Sequence, residues 1–402
     1  MIKAVLLDLD DTLIHTDTDA FFERYLQELG AYCAHVAPPE KFIPQLMDSF
    51  RTTLRTDDPS RPLYARLMEQ FASDGGFDRA SLDPLFERFY EEQYCVLAPR
   101  VSARPASRAL LDWLAKQDLA VVVATNPGLP YAAIRQRMVW GEVSLDFPFA
   151  LVTSLEEMHF GKPRPEYYAE IVHRLGVESH EALMVGDDWE NDIVGASAAG
   201  LAVYWVTDGQ AAVPDPAVRL DGYGTYDEFV SKATDGWLDG LEAQATDRHA
   251  VLYRLAAYPA AVNALRDAHD ADVLECRPEP GEWSARDIVC HLRDQDADVR
   301  RRLGRVLAED NPFLSANTDP WAYGPDYDKV TFDEAFSQFV AERQRTVRWL
   351  TTVPADVWAR PARDAIFGPT HFAEVVRFHA EHDRSHLQQM DDAITHGVEV
   401  CG

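Results

Sequence analysis

The stretch Ala4-Val5-Leu6-Leu7-Asp8-Leu9-Asp10-Asp11-Thr12-Leu13 decides the fold. Ala4 to Leu7 form an uninterrupted apolar run of β character, as expected for a strand buried on both faces of a parallel sheet. Two carboxylates follow where such a strand leaves the sheet, the edge at which open α/β sheets bind ligands. Asp8 and Asp10 stand two apart, so an extended backbone points them the same way and lets them share one divalent cation. A carboxylate beside a metal is a nucleophile toward phosphorus, and its neighbour a proton donor. The competing reading is a strand that ends in an acidic, solvated turn, a common setting for Asp.

Three further segments weigh on that choice. Val121-Val122-Val123-Ala124 leads into Thr125-Asn126-Pro127, a hydroxyl and an amide at a second strand end. Lys162, in Gly161-Lys162-Pro163-Arg164-Pro165, is one of only six lysines, with Lys3, Lys41, Lys116, Lys232 and Lys329. A third apolar run, Ala182 to Val185, delivers Gly186-Asp187-Asp188-Trp189-Glu190-Asn191-Asp192. In this order, DxDxT, a strand-end Thr, a Lys and GDxxxxD, the set resembles the four motifs of the haloacid dehalogenase-like superfamily of phosphohydrolases, over roughly residues 1–230.

The resemblance implies a Rossmann-like parallel sheet and specific roles. Asp8 would form an aspartyl-phosphate, and Asp10 would protonate the leaving alkoxide and then activate water. Thr125 would hydrogen-bond a phosphoryl oxygen, with Asn126 beside it as a loop-shaping or substrate-binding residue. Lys162 would offset charge on the nucleophile and the phosphoryl group. Asp187 would hold Mg²⁺ with Asp8 and the main-chain carbonyl of Asp10, and Asp192, the downstream acid, belongs to the same metal set; Asp188 could replace either by a one-residue shift and ranks behind both. Oxygen-only ligation suits magnesium. Relatives that break carbon–halogen bonds lack the second Asp of the first motif, so Asp10 argues for phosphate-ester hydrolysis and against dehalogenation.

Roughly a hundred residues with helical periodicity separate the first two motifs, too many for a loop. Phe21, Phe22, Tyr25, Leu26 and Leu29 recur at helix spacing, as do Leu63, Leu67 and Phe71. This insertion, about residues 16–97, resembles the helical cap that the superfamily closes over its active site, and substrate specificity is expected in it. Arg51, Arg55 and Arg61 are either solvated surface residues or a receptor for an anionic substrate tail.

The alternation of strands and helices ends near residue 235. The sequence predicts a last or nearly last strand over Leu201 to Val206, a closing helix over Asp227 to Lys232 and an acidic linker over 236–247. Beyond it lie four helices, Arg248 to Ala268, Ser284 to Ala308, Phe332 to Thr352 and Thr370 to Thr395, enough for an all-α four-helix bundle over 248–402. Ser284 and Thr331 or Asp333 are candidate N-caps.

In that region His382 and His386 are four apart on one helix face, with His379 a turn back as a rival ligand, and His291 could join from a facing helix. Three imidazoles with an open fourth position describe a ligand-accepting metal site; exposed helical histidines without metal are the alternative. Pro280-Gly281-Glu282-Trp283-Ser284, His291-Leu292 and His382-Asp383-Arg384-Ser385-His386-Leu387 resemble the DinB-like four-helix metalloproteins over roughly 245–395. That resemblance implies a divalent transition metal, zinc, nickel or iron. Asp294 and Asp383 read as acceptors for the ligand rings or as ordinary surface acids.

The chain has 402 residues, long enough for two or three cores, and a formal net charge of -29 with a pI of about 4.7. A phosphate backbone or anionic membrane needs a basic footprint, so neither is an expected partner. No apolar run approaches membrane-spanning length and no signal-peptide pattern opens the chain. Five scattered cysteines without CxxC spacing point to a reducing cytoplasm. Nothing in the pattern fixes an oligomeric state. The expectation is a cytoplasmic Mg²⁺-dependent phosphatase of a small phosphorylated metabolite, residues 1–235 with core 1–15 and 98–235, fused to a metal-binding bundle. The alternatives place a metal-dependent thiol transferase or hydrolase in the bundle, or make it a metal-sensing or docking module.

Overall fold

The computed structural model describes residues 1–241, 247–279, 281–315 and 327–401, the last without its side chain. Pro280 and residues 242–246 of the expected linker lie outside them. The chain divides into two compact units, Met1–Ala245 and Thr246–Gly402.

In the first unit β1 (Ala4–Leu7) is wholly buried, as its apolar run requires. The chain then leaves through β2 (Ile14–Thr16) and returns through β3 (Val101–Ala103), which pair antiparallel as a narrow ribbon. Between them lie α1 (Thr18–Tyr32), α2 (Pro39–Arg55), α3 (Leu63–Gly75) and α4 (Arg79–Glu92). Asp17 and Asp78 cap α1 and α4 by accepting main-chain N–H bonds from Ala20 and Ala80, satisfying donors that have no partner within the helix. α3 has no such cap. Its first N–H groups, from Leu63 and Tyr64, instead donate to the carbonyls of Met158 and Leu155, both at 2.8 Å. Phe42, Phe71 and Phe86 pack edge-on or tilted with centroids 5.1 to 6.3 Å apart, so Phe71→Ala would cost about 3–5 kcal/mol.

The remaining strands are β4 (Ala120–Val123), β5 (Leu151–Val152), β6 (Ala182–Gly186), β7 (Ala202–Val206) and β8 (Gly222–Gly224). With β1 they form one parallel sheet in the order β5-β4-β1-β6-β7-β8. Helices α5 (Pro105–Leu114), α6 (Tyr131–Trp140), α7 (Pro165–Arg174), the short α8 (Gly195–Ala198) and α9 (Tyr226–Thr234) make or follow the crossovers. The chain builds outward from β1 through β4 to β5, then crosses to β6 on the other side. That reversal opens a crevice at the carboxyl end of β1.

The second unit holds α10 (Arg248–Asp267), α11 (Ala271–Glu275), α12 (Ala285–Ala308), α13 (Phe332–Thr351) and α14 (Phe372–Cys401). The four long helices share apolar cores that include Tyr258, Ile288, Phe339 and Met390, and Leu255, Leu303 and Phe372. Ser284 with Asp287, and Thr331 with Glu334, form reciprocal capping boxes at α12 and α13. Two features differ from expectation. The five-residue α11 is too short to show periodicity, and the last helix starts at Phe372 rather than Thr370. Thr370 and His371 belong instead to a small sheet of β9 (Phe313–Leu314), β10 (Pro361–Asp364) and β11 (Gly368–His371). Among the described residues no helix is long and apolar enough to cross a membrane.

Candidate active site and candidate metal centre

The last rungs of the sheet fix Asp8. Its N–H donates to the Val185 carbonyl at 2.9 Å, while the Leu7 carbonyl accepts from Ala124 at 2.7 Å. The chain turns at Asp11, whose φ of 53° is left-handed, a conformation Asp tolerates. Lys162 arrives from the loop before α7 and is 5% exposed. Its ammonium donates to Asp8 at 2.7 Å and to Asp192 at 2.5 Å.

Asp192 lies in a wide π-helical turn, Trp189–Val194, after β6. Its second oxygen accepts the Asp188 N–H at 3.0 Å. The side chain folds so closely over Gly186 that a Cβ there would sit 2.2 Å from a carboxylate oxygen, which explains the glycine of GDxxxxD. The Thr12 hydroxyl donates to Asp187 at 3.2 Å, and Trp205 Nε1 donates to the Asp187 carbonyl at 2.8 Å. Oxygens of Asp8, Asp187 and Asp192 lie within 4.8 Å of one another. Asp188 is not in that group; it caps the π turn by accepting from the Asn191 N–H.

Burial, then the charges of Asp8 and Asp192, push the Asp187 carboxyl up to about 8. Burial opposes the Lys162 charge, yet Asp192 and Asp8 outweigh it and hold the ammonium well above its ordinary value. Three crowded carboxylates against one ammonium leave uncompensated negative charge, which a hard cation with oxygen ligands relieves. The donor set therefore fits Mg²⁺.

Thr125 is buried at the end of β4, its carbonyl accepting from Thr153 Oγ1 at 2.7 Å and Tyr167 Oη at 2.9 Å. Asn126 follows it, exposed. The Asp10 carboxylate forms an ion pair with Arg137 of α6, and its Oδ1 has no hydrogen-bond partner. Arg137 is 2% exposed and lies 5.0 Å from the Phe21 ring.

In the second unit His291 Nε2 lies 3.3 Å, and His386 Nε2 3.0 Å, from His382 Nε2. Ligand nitrogens about 2.0–2.1 Å from a tetrahedral metal are roughly 3.3 Å apart, so the triad matches such a ligand set. Trp283 packs 4.8 Å from the His291 ring, and Gln389 Oε1 lies 2.8 Å from His386 Nδ1. Burial, then neighbouring imidazoles, pull His291 to about 4 and His382 to about 2, so these rings are neutral donors at neutral pH. His379 instead faces Asp296, 3.3 Å away. Asp383 is no surface acid: it is 1% exposed and accepts from the buried Arg343 at 2.5 and 2.9 Å. Asp294 accepts from Tyr327 Oη at 2.9 Å rather than from a triad ring.

A family model for haloacid dehalogenase-like hydrolases matches residues 2–200. Pyrophosphatase PpaX of Bacillus cereus (strain AH820) is 30% identical over 215 residues, 52% of this chain and 87% of that protein. The chain belongs to the haloacid dehalogenase-like hydrolases. A phosphoglycolate phosphatase of Rhodospirillum rubrum is 26% identical over 279 residues, 65% of this chain and all of that protein. Proteins named as phosphatases are thus among the relatives of this hydrolase. A second model, for the DinB superfamily, matches residues 254–390. The solved structure of YfiT from Bacillus subtilis, 15% identical with a TM-score of 0.34, covers 38% of this chain and 89% of its own.

In this hydrolase the four motifs line one cavity of about 600 Å³. Arg137 lines it too, and sequence reasoning missed it: an arginine on an ordinary helix gives no local sign that it will be buried against Asp10. The role of Thr12 in holding Asp187 was also missed. Arg51, Arg55 and Arg61 are not among the lining residues. Arg51 pairs with Asp48, and Arg61 with Glu69, on the surface.

Proposed function

We propose that the first unit hydrolyses a small phosphomonoester through an aspartyl-phosphate on Asp8, with Mg²⁺ as cofactor. One observation carries the reading: Lys162 joins Asp8 and Asp192, next to Asp187, at the carboxyl end of β1. Asp8, Asp187 and the Asp10 carbonyl would hold the cation, with Asp192 at its flank. When bound, the ion supplies positive charge against the phosphoryl oxygens. The Asp8 carboxylate attacks phosphorus, the ester P–O bond breaks, and Asp10 gives its proton to the departing alkoxide. Asp10 then takes a proton from water, which attacks the same phosphorus and frees Asp8. Lys162 stays paired throughout, and the Thr125 hydroxyl binds a phosphoryl oxygen. By fixing one oxygen of Asp10, Arg137 leaves the other to exchange the proton.

The test is phosphate release from a panel of small phosphomonoesters, with and without Mg²⁺, for wild type and Asp8→Asn. Turnover that needs both supports the reading, and release unchanged in Asp8→Asn ends it. A cytoplasmic setting has the free thiols of Cys33, Cys95 and Cys290 in its favour and the disulfide-bonded Cys276 against it.

A second reading rests on the convergence of His291, His382 and His386. The triad would hold zinc, nickel or iron, and the bundle would act as a metal-dependent transferase or hydrolase or as a metal-sensing module. Alanine at His382 and His386 separates this from the first reading, because it should leave phosphate hydrolysis in place.

A further inference from the structure

The cavity above Asp8 is lined by two unlike sets of residues. From the core come the motif residues. From the helical insertion come Leu46, Met47, Phe50, Leu67, Met68 and Phe86, an apolar wall with two methionines that adapt to irregular shapes. Three tyrosines also line it, but the hydroxyls of Tyr25 and Tyr90 pair with each other at 2.7 Å, and Tyr64 Oη donates to Asp83 at 2.9 Å. These hydroxyls are thus already engaged and are poor partners for the hydroxyls of a sugar.

Charge narrows the choice further. The cationic residues among those lining the cavity are Lys162 and Arg137, the first held by Asp8 and Asp192 and the second by Asp10. The other charged lining residues, including Asp11, Asp17 and Asp19, are acids. A second anionic group on the substrate would lose its water there and meet negative charge.

We propose that the preferred substrates are phosphomonoesters of uncharged, hydrophobic alcohols, aryl or medium-chain alkyl phosphates whose apolar body fills the insertion side of the cavity. This rests on the phosphatase reading and specifies its substrate class. It departs from the names of the relatives above, since pyrophosphate and phosphoglycolate each carry a second anionic group.

The experiment measures kcat/KM of the full chain with Mg²⁺ for methyl, butyl, hexyl and phenyl phosphate, and for glycerol phosphate, phosphoglycolate and pyrophosphate. Expected is a rise of about four-fold per buried methylene until the cavity is filled. Phenyl phosphate should exceed phosphoglycolate by roughly a hundred-fold. A flat chain-length profile, or preference for the anionic or hydroxylated esters, overturns the proposal while leaving the phosphatase reading intact. No turnover of any ester by folded, metal-supplied protein overturns both. In a second arm the half-buried Met47 is replaced. Met47→Lys should lower kcat/KM for phenyl phosphate and raise it for phosphoglycolate, and an unchanged ratio contradicts the proposed wall.

Discussion

Arg66 of α3 donates to the main-chain carbonyl of His159, three residues before Lys162, at 2.5 Å. The same guanidinium donates to the Thr56 carbonyl at 3.1 Å, and the residue is 6% exposed. His159 is in turn fixed by Glu170, which accepts its N–H at 3.1 Å and lies 2.9 Å from Nδ1. With the bonds from Leu63 and Tyr64, these contacts tie the helical insertion to the loop that carries the active-site lysine.

Arg66→Ala should therefore affect both stability and catalysis. Leaving buried carbonyls unpaired costs about 1–3 kcal/mol. Loss of the tether should also lower kcat/KM about ten-fold by loosening Lys162. Thermal melting and steady-state kinetics check this together; wild-type kcat/KM with a lowered Tm would show that the tether is structural only.

Lys162→Met removes the one ammonium between Asp8 and Asp192. We expect kcat/KM to fall about 10²–10³-fold. Lys162→Arg should not restore it, because a planar guanidinium cannot take the place of a compact buried ammonium. Recovery by arginine would mean that charge alone, without this geometry, is sufficient.

How much of this was legible follows from sequence separation. β1 and the acids after it could be read because the strand and its ligating turn are contiguous, and the caps Ser284 and Thr331 because a capping box spans only four residues. Arg137, Arg66 and Asp383 could not, since each is defined by a partner far along the chain. Asp383 looked like a surface acid because its helix neighbours Arg384 and Ser385 are polar, yet it turns inward to Arg343 of α13. The small sheet in the second unit was missed for a similar reason: its strands are two to four residues long, and β9 pairs with β10 across a long interval.

The buried Arg343 gives the bundle an acid-sensitive core. It binds Asp296 at 2.9 Å and Asp383 at 2.5 Å. Burial alone would raise the Asp296 carboxyl, but Arg343, aided by His379, holds it at about 2. A depressed folded-state pKa contributes stability that is present above the unfolded value near 4 and lost as pH falls toward 2. The contribution is about 2 kcal/mol. Unfolding of the second unit followed by hydrogen exchange should show this loss between those values, and Asp296→Asn should flatten it. Arg343→Met, which strands two buried carboxylates, should cost about 3–5 kcal/mol at neutral pH.

The triad predicts one transition-metal ion per chain. Elemental analysis after incubation with zinc alone should find it in wild type and not in His382→Ala, with phosphate release retained in both. Equal metal content in the two proteins would remove the triad as the site.

Whether Asp8 is the nucleophile can be read by acid-quenching the protein during turnover and weighing its peptides. One added phosphoryl group is expected on the peptide that contains Asp8, absent in Asp8→Asn. Turnover with no phosphorylated peptide under any quench condition, or a phosphoryl group on a different residue, would contradict a nucleophilic Asp8.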